Sequence, residues 1–423
     1  MKAEGYQNMH DSILKRARRL ACTAVVASAI GAVAVPAMAE VKIGLLVGFT
    51  GDMGPWASAL NNAAILAVEE INAAGGILGE QVTLIPEDNA STVAGAVRGG
   101  QKLASVDKVS VIIGPESDPM VSLLQFAKDN QLPIITTSAG TEALDQAGGT
   151  GTFVYRTNAS DTFLGVVHAK LILDELGAKE VAVVVENLEG TQSGAKTFMR
   201  NFEKFGGKIT KVVTLTPGQT TYLNELRDLA GADPKVVFLS ASQSTGVTFA
   251  KQAFQRGYEW QWWVPPDLQS DDYVKAAGTD VVKGTLSAVG GSATDSDAWA
   301  RFSEAYEKRF GEKPVSGYYQ AETYDAFIVA ALAMEAAGKT DGKSIDDNLV
   351  KVATPEGTKV ISFADGVKAL KAGEDIDYEG ASGTINFNEY GNVAVPVAQL
   401  LEIDESGAWV VKKIVDSSAF PAN

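Results

Sequence analysis

Cysteine and histidine are almost missing from this chain, which has one cysteine and two histidines among 423 residues. Cys22 lies in the N-terminal segment, so from residue 40 onward no thiol exists for a disulfide, a nucleophile or a metal. His10 lies there too, leaving His168 alone among Val166, Val167 and Leu171, with no histidine or cysteine partner for zinc or for a catalytic triad. No Gly-x-Ser-x-Gly elbow and no Walker A loop occurs. Gly48, Gly51 and Gly54 follow a strand-like run, but their spacing is not Gly-x-Gly-x-x-Gly, and Pro55 and Trp56 would crowd a pyrophosphate. The acid pairs Asp271-Asp272 and Asp346-Asp347 read as solvated caps and turns. These absences weigh against an enzyme and against any nucleotide or metal cofactor.

Positive charge is the other scarcity: 36 Lys and Arg stand against 52 Asp and Glu. Four of the basic residues, Lys15, Arg16, Arg18 and Arg19, precede an apolar run over residues 20–35. Ala37-Met38-Ala39 then offers the small-x-small pattern of a signal-peptidase site, so residues 1–39 read as a signal peptide cleaved after Ala39. The apolar run is short for a membrane span, and nothing later replaces it. Cys22 directly follows the basic cluster with no apolar segment ahead of it, which argues against a lipid anchor, and the Arg18-Arg19 pair sits in a poor twin-arginine context. Cleavage would leave 31 basic and 50 acidic residues, a net charge of −19. Such a surface argues against nucleic acid and anionic lipid as partners. The expected location is the periplasm.

With no staple available, 384 mature residues must rest on hydrophobic cores, best divided between two domains. Strand-like runs at 41–47, 82–85, 109–113 and 133–136 alternate with helical patterns such as 63–71, where apolar residues recur at i, i+4. The alternation restarts with strands at 181–185, 209–215, 236–239 and 262–264, separated by helices at 194–205, 223–230 and 247–257. Helices over 299–310 and 323–337 follow, then β segments at 384–387, 395–403 and 409–415 around turns at 388–392 and 404–407. Two successive open α/β units imply parallel sheets with helices on both faces, and two lobes able to close on each other.

In open parallel sheets ligands bind beyond the carboxyl ends of the strands. That rule selects the loops 48–56, 114–119 and 136–141, whose hydroxyls and helix-start amides suit a carboxylate. Any one of these residues also serves as an ordinary helix cap. Three such loops at successive strand ends, with Trp56 as a wall, mark a binding cleft.

Val41-Lys42-Ile43-Gly44-Leu45-Leu46, the Thr50-Gly51 turn and the run from Ala67-Val68-Glu69-Glu70-Ile71-Asn72 through Ala73-Ala74-Gly75-Gly76-Ile77 resemble the leucine/isoleucine/valine-binding protein family. Ile113-Gly114-Pro115, Pro133-Ile134-Ile135, Arg156-Thr157 and Gly317-Tyr318-Tyr319 before Thr323-Tyr324-Asp325-Ala326 extend the resemblance over the mature chain. The resemblance implies a type I periplasmic binding protein of Venus-flytrap form: two doubly wound α/β lobes joined by three crossovers, near 156–158, 287–290 and 380–384. Lobe one would comprise 40–157 and 288–382, and lobe two 158–287 and 383–423. It implies a monomeric receptor that needs no cofactor and hands a small molecule to the membrane permease of an ATP-driven (ABC) importer.

For an amino-acid ligand, the resemblance assigns the carboxylate to Ser117 or Asp118 and to Ser138, Ala139, Gly140 and Thr141, with Trp56 and Tyr319 as aromatic walls. The ammonium would fall to Asp267, since an ammonium removed from water needs an opposite charge. Glu189 and Ser242 stand in lobe-two loops where the family often carries aromatics, so this half of the cleft is more polar than a branched-chain receptor requires. The expected ligand is an amino acid or similar small carboxylate. The alternative is an aromatic acid, amide or urea-like solute, shaped by Trp56, Trp262, Trp263 and Tyr319. A periplasmic enzyme on the same fold is the remaining alternative.

Overall fold

The computed structural model describes residues 40–420; the signal-peptide reading and Cys22 lie outside the described residues. The first sheet is built from β1 (Val41–Val47), β2 (Val82–Asp88), β3 (Val111–Ile113), β4 (Ile134–Thr136) and β5 (Val154–Arg156). Its order is β2-β1-β3-β4-β5, and every pairing is parallel. The second sheet contains β6 (Glu180–Glu186), β7 (Lys208–Leu215), β8 (Val236–Ser240), β9 (Gln261–Val264) and β10 (Leu286–Gly291). After a small parallel pair, β11 (Thr358–Val360) with β12 (Ile376–Tyr378), the second sheet is completed by β13 (Val397–Ile403) and β14 (Trp409–Asp416). Its order is β14-β13-β10-β9-β8-β6-β7, with β13 and β14 antiparallel at one edge.

The central strands are apolar because helices cover both faces, whereas the edge strands β2, β7 and β14 carry exposed polar residues. Ile43, Leu45, Leu46 and Val47 of β1 are all buried, as are Val181 through Val185 of β6. The helix Gly54–Ala73 lays Leu60, Ala64, Ala67 and Ile71 on the first sheet. Burying a Leu or Ile side chain of this kind stabilises by about 1.5–3 kcal/mol. One core joins residues of β1 and β3 to the helices Asp297–Phe310 and Gln320–Ala337, while separate clusters flank the second sheet on its two faces. The chain therefore leaves the first core after β5, returns to it after β10, and leaves again beyond Val393.

Two expectations change. Residues 384–387 form no strand: Thr384 makes a single bridge to Glu379, and Ile385 and Phe387 are buried in the first core as extended chain with no neighbouring strand to pair with. β5 was not anticipated, because Val154-Tyr155-Arg156 is too short to show a period. Among the described residues, no helix is long and apolar enough to cross a membrane.

Candidate functional site

Both sheets reverse strand order next to their first strand, at β1/β3 and at β6/β8. Ligands of open α/β sheets bind beyond the carboxyl ends at such switch points. Here the loops after β1, β3 and β4 face those after β6, β8 and β9 across one cavity of about 330 Å³. That volume suits a small solute, at the lower end of the roughly 300–1,000 Å³ of small-molecule sites.

Seven of the expected residues line this cavity: Trp56, Ser117, Asp118, Ser138, Ser242, Asp267 and Tyr319. Gly140 lines a smaller chamber of about 60 Å³, which shares Ser117, Ser138, Asp267 and Tyr319 with the larger one. Ala139, Thr141 and Glu189 line neither space. Ala139 is buried in a core cluster and its N–H donates to Thr136 Oγ1 (2.9 Å). Thr141 is fully buried; its hydroxyl donates to Glu189 Oε1 (2.8 Å) and its N–H to Ser117 Oγ (3.4 Å). These groups are committed to holding protein together, and of the expected hydroxyl-loop residues Ser117, Ser138 and Gly140 remain on the walls of the open spaces.

Local chemistry places each wall. Gly114, with φ +107, lets β3 end within reach of β1; a Cβ there would lie 2.1 Å from the Leu46 carbonyl oxygen. The loop it begins delivers Ser117 and Asp118 as the first turn of the helix Ser117–Asn130. Tyr319 holds a left-handed φ of +61 immediately before the helix Gln320–Ala337. Such backbone costs about 1–3 kcal/mol for a non-glycine residue and is retained where the surroundings over-determine it. Ser160 caps the helix Asp161–Glu175, accepting from the Phe163 N–H (3.1 Å), and so sets Asp161 at the chamber wall. A Cβ on Gly140 would meet Asp161 Oδ1 at 2.2 Å, so only glycine admits this carboxylate.

The two halves touch across the cleft. Asp118 accepts the backbone N–H groups of Glu189 (2.9 Å) and Gly190 (3.1 Å). The Glu142 N–H donates to Ser193 Oγ (2.8 Å), and its carboxylate pairs with Lys196 and with Arg200 (3.1 Å). Burial alone would raise the Glu142 carboxyl, but these two cations bring it below the ordinary range.

The cavity walls carry carboxylates, and at one of them, Asp161, the effect of burial is opposed by a Ser193 hydrogen bond and the Arg156 charge. Asp52, Glu116, Asp118 and Asp267 line the larger space, and Asp161, Asp267 and Glu322 the smaller. No Lys or Arg stands among the described residues lining either. Burial pushes Glu116 up to about 6 and Asp161 and Glu322 up to about 7. Asp267 is pushed up to about 6 by its enclosure between the halves and by the charges of Asp118, Glu186 and Asp52. Its side chain faces open cavity rather than packed protein, so it is free to meet a ligand. The sequence reading had not singled out Asp52, Glu116, Asp161 and Glu322. Asp52 and Glu116 sat inside the selected loops, whereas Asp161 looks like a first-turn cap residue and Glu322 like one polar position of an apolar helix.

Trp262 and Trp263 do not shape the cavity. They alternate to opposite faces of the second sheet, each in its own core cluster. Trp263 Nε1–H donates to His168 Nδ1 (3.0 Å), and burial holds His168 down to about 3, a neutral core acceptor.

Comparison with known proteins agrees with this architecture. A family model described as periplasmic binding protein matches residues 40–408. The chain is 30% identical over 333 residues to Leu/Ile/Val-binding protein homolog 7 of Brucella abortus (strain 2308), covering 74% of this chain and 81% of that one. A leucine binding protein from Thermotoga maritima superposes with a TM-score of 0.75 at 21% identity, covering 90% of this chain and all of that one. A solute binding protein of an R. palustris ABC transporter, solved in complex with benzoate, superposes at 0.71 with 18% identity, covering 91% and 98%.

Proposed function

The chain belongs to the periplasmic binding protein family, of the ABC transporter type, and from that premise we propose that it is an exported receptor for an amino acid or similar small carboxylate bearing an ammonium group. The observation that carries this reading is a cavity at facing strand ends, lined by the Ser117, Ser138 and Ser242 hydroxyls together with Asp52, Glu116, Asp118 and Asp267 and by no Lys or Arg. Ser117, Ser138 and the Gly140 backbone receive the ligand carboxylate, and Asp267 receives the ammonium. Trp56 and Tyr319 enclose the aliphatic part. A charge-assisted hydrogen bond of this kind contributes about 1.5–3 kcal/mol.

In this reading residues 1–39 are a signal peptide cleaved after Ala39, and the receptor acts as a monomer. The lobes carry one sheet each and move about the three passages after Arg156, Gly291 and Val393. Ligand contacts reach both lobes only when they are closed, so binding favours closure, and the closed form is what the permease receives.

The runner-up is an amide or urea-like solute, favoured by carboxyls raised far enough to be protonated and donate near neutrality. An aromatic acid brings an anion for Ser117 and Ser138 but no ammonium to meet Asp267, so it adds charge of the sign the walls already carry, which disfavours it. The test is a thermal-shift panel of the mature protein against amino acids, amides and aromatic acids. A response to amino acids supports the reading, and a response confined to the other two classes removes it.

A further inference from the structure

The helix Gln320–Ala337 carries two buried acids one turn apart, and they are treated differently. Asp325 takes hydrogen bonds from Tyr378 Oη (2.8 Å), Ala381 N (2.9 Å), Ser382 N (2.7 Å) and Ser382 Oγ (2.6 Å). Glu322 is only 8% exposed, yet its Oε2 has no hydrogen-bond partner. It lines the small inner chamber beside Asn158, which is 4% exposed and whose Oδ1 is also without a partner. Asp161 completes that wall. Two orphaned acceptors on side chains more than nine-tenths buried, both of residues that line one space, ask for a donor the protein does not supply.

The missing donor has a definable chemistry. It must bring N–H groups for both oxygens, and positive charge suits it, since Glu322 and Asp161 line the chamber while no Lys or Arg does and Arg156 reaches Asp161 from outside the lining. The chamber, at about 60 Å³, takes the end of a side chain rather than a whole solute. Among the described residues no three His, Cys, Asp or Glu side chains are arranged to hold a metal ion, and an organic cation brings the N–H donors that both orphaned oxygens can accept. Asp267 lies at the junction of the chamber and the larger cavity. Tyr319 stands between them, its phenol pushed upward by burial and by Asp267, Glu322 and Asp161 around it.

We infer that the inner chamber is a subsite for a second positively charged group, so that the ligand is a basic amino acid, with one nitrogen at Asp267 and the other held by Glu322, Asp161 and Asn158. This rests on the receptor reading above and narrows its ligand class. The α-carboxylate stays on Ser117 and Ser138, which border both spaces.

Calorimetric titration of the mature protein with L-lysine, L-arginine, L-leucine and benzoate tests the inference. Lysine or arginine is expected to bind at least about tenfold more tightly than leucine, one charge-assisted contact being worth that much. Glu322→Gln should weaken the basic ligand by about tenfold or more and leave leucine within about twofold. Asn158→Ala serves if Glu322→Gln alters the melting temperature: it should weaken the basic ligand in the same sense and leave leucine within about twofold, which separates lost contact from altered movement of the passage in which Asn158 lies. Leucine binding as tightly as both basic amino acids, or variants that bind them like the parent, would overturn the inference while leaving the receptor reading intact. Binding of benzoate alone would remove both.

Discussion

Asp118 caps a helix that belongs to the other half of the molecule: its carboxylate accepts the Gly190 N–H at 3.1 Å, at the start of the helix Glu189–Lys204. An acid at a helix N-terminus satisfies orphan donors and meets the positive end of the dipole. Here that local rule joins the two sides of a cleft. Asp118→Asn keeps one acceptor oxygen and loses the charge. It is expected to weaken ligand binding by about three- to tenfold, as an N-terminal charge and cap contribute about 1 kcal/mol. The loss should appear in the dissociation rate, and small-angle scattering of the unliganded variant should show a larger radius of gyration.

Asp267→Ala separates ammonium recognition from general closure. Removing the carboxylate leaves a buried ammonium unpaired, so affinity for an amino acid should fall by about a hundredfold or more. A solute lacking positive charge should bind the variant about as well as the parent. Parallel titrations of the two proteins measure both.

Stability of the unliganded protein should fall as pH rises from 5 to 7.5. The carboxyls of Glu116, Asp161 and Glu322 sit at about 6 to 7 when folded, against ordinary values near 4. The folded state therefore binds more protons than the unfolded one across that window, and ionising these groups costs stability until the folded values are passed. His168, held down to about 3, works in the opposite sense up to about 6.5, but it is one group against several. Scanning calorimetry should show the decline, and Asp161→Asn should flatten it. A cationic ligand should raise the melting temperature more at pH 7.5 than at pH 5.

Trp263→Phe should cost stability and spare binding. It removes the donor to His168 Nδ1 and leaves that acceptor buried, a loss of about 1–3 kcal/mol. Chemical denaturation measures the first effect and ligand titration the second.

The architecture was legible from periodicity because parallel strands covered on both faces read as unbroken apolar runs, as β1 and β6 do. The strand-end rule then picked the loops holding Trp56, Ser117, Asp118 and Ser138, which line the cavity. What stayed hidden depends on side-chain direction. Trp262 and Trp263 are adjacent, and only the pairing of β9 with β8 and β10 shows that the sheet turns each into a core. Thr141 reads as free in the sequence because Glu189, which takes its hydroxyl, begins a helix 48 residues away. Glu322 and Asp325 carry the same charge on one helix, and the chain segment 378–382 alone decides which is satisfied.

The central claim is that this cleft closes on a solute through an ammonium at Asp267. Calorimetric titration of the mature protein, freed of bound solute, with a full panel of amino acids tests it most directly. Saturable binding of at least one amino acid at micromolar or lower concentration, lost in Asp267→Ala, is the predicted result. No heat and no thermal shift with any amino acid, or binding that survives Asp267→Ala unchanged, would contradict it.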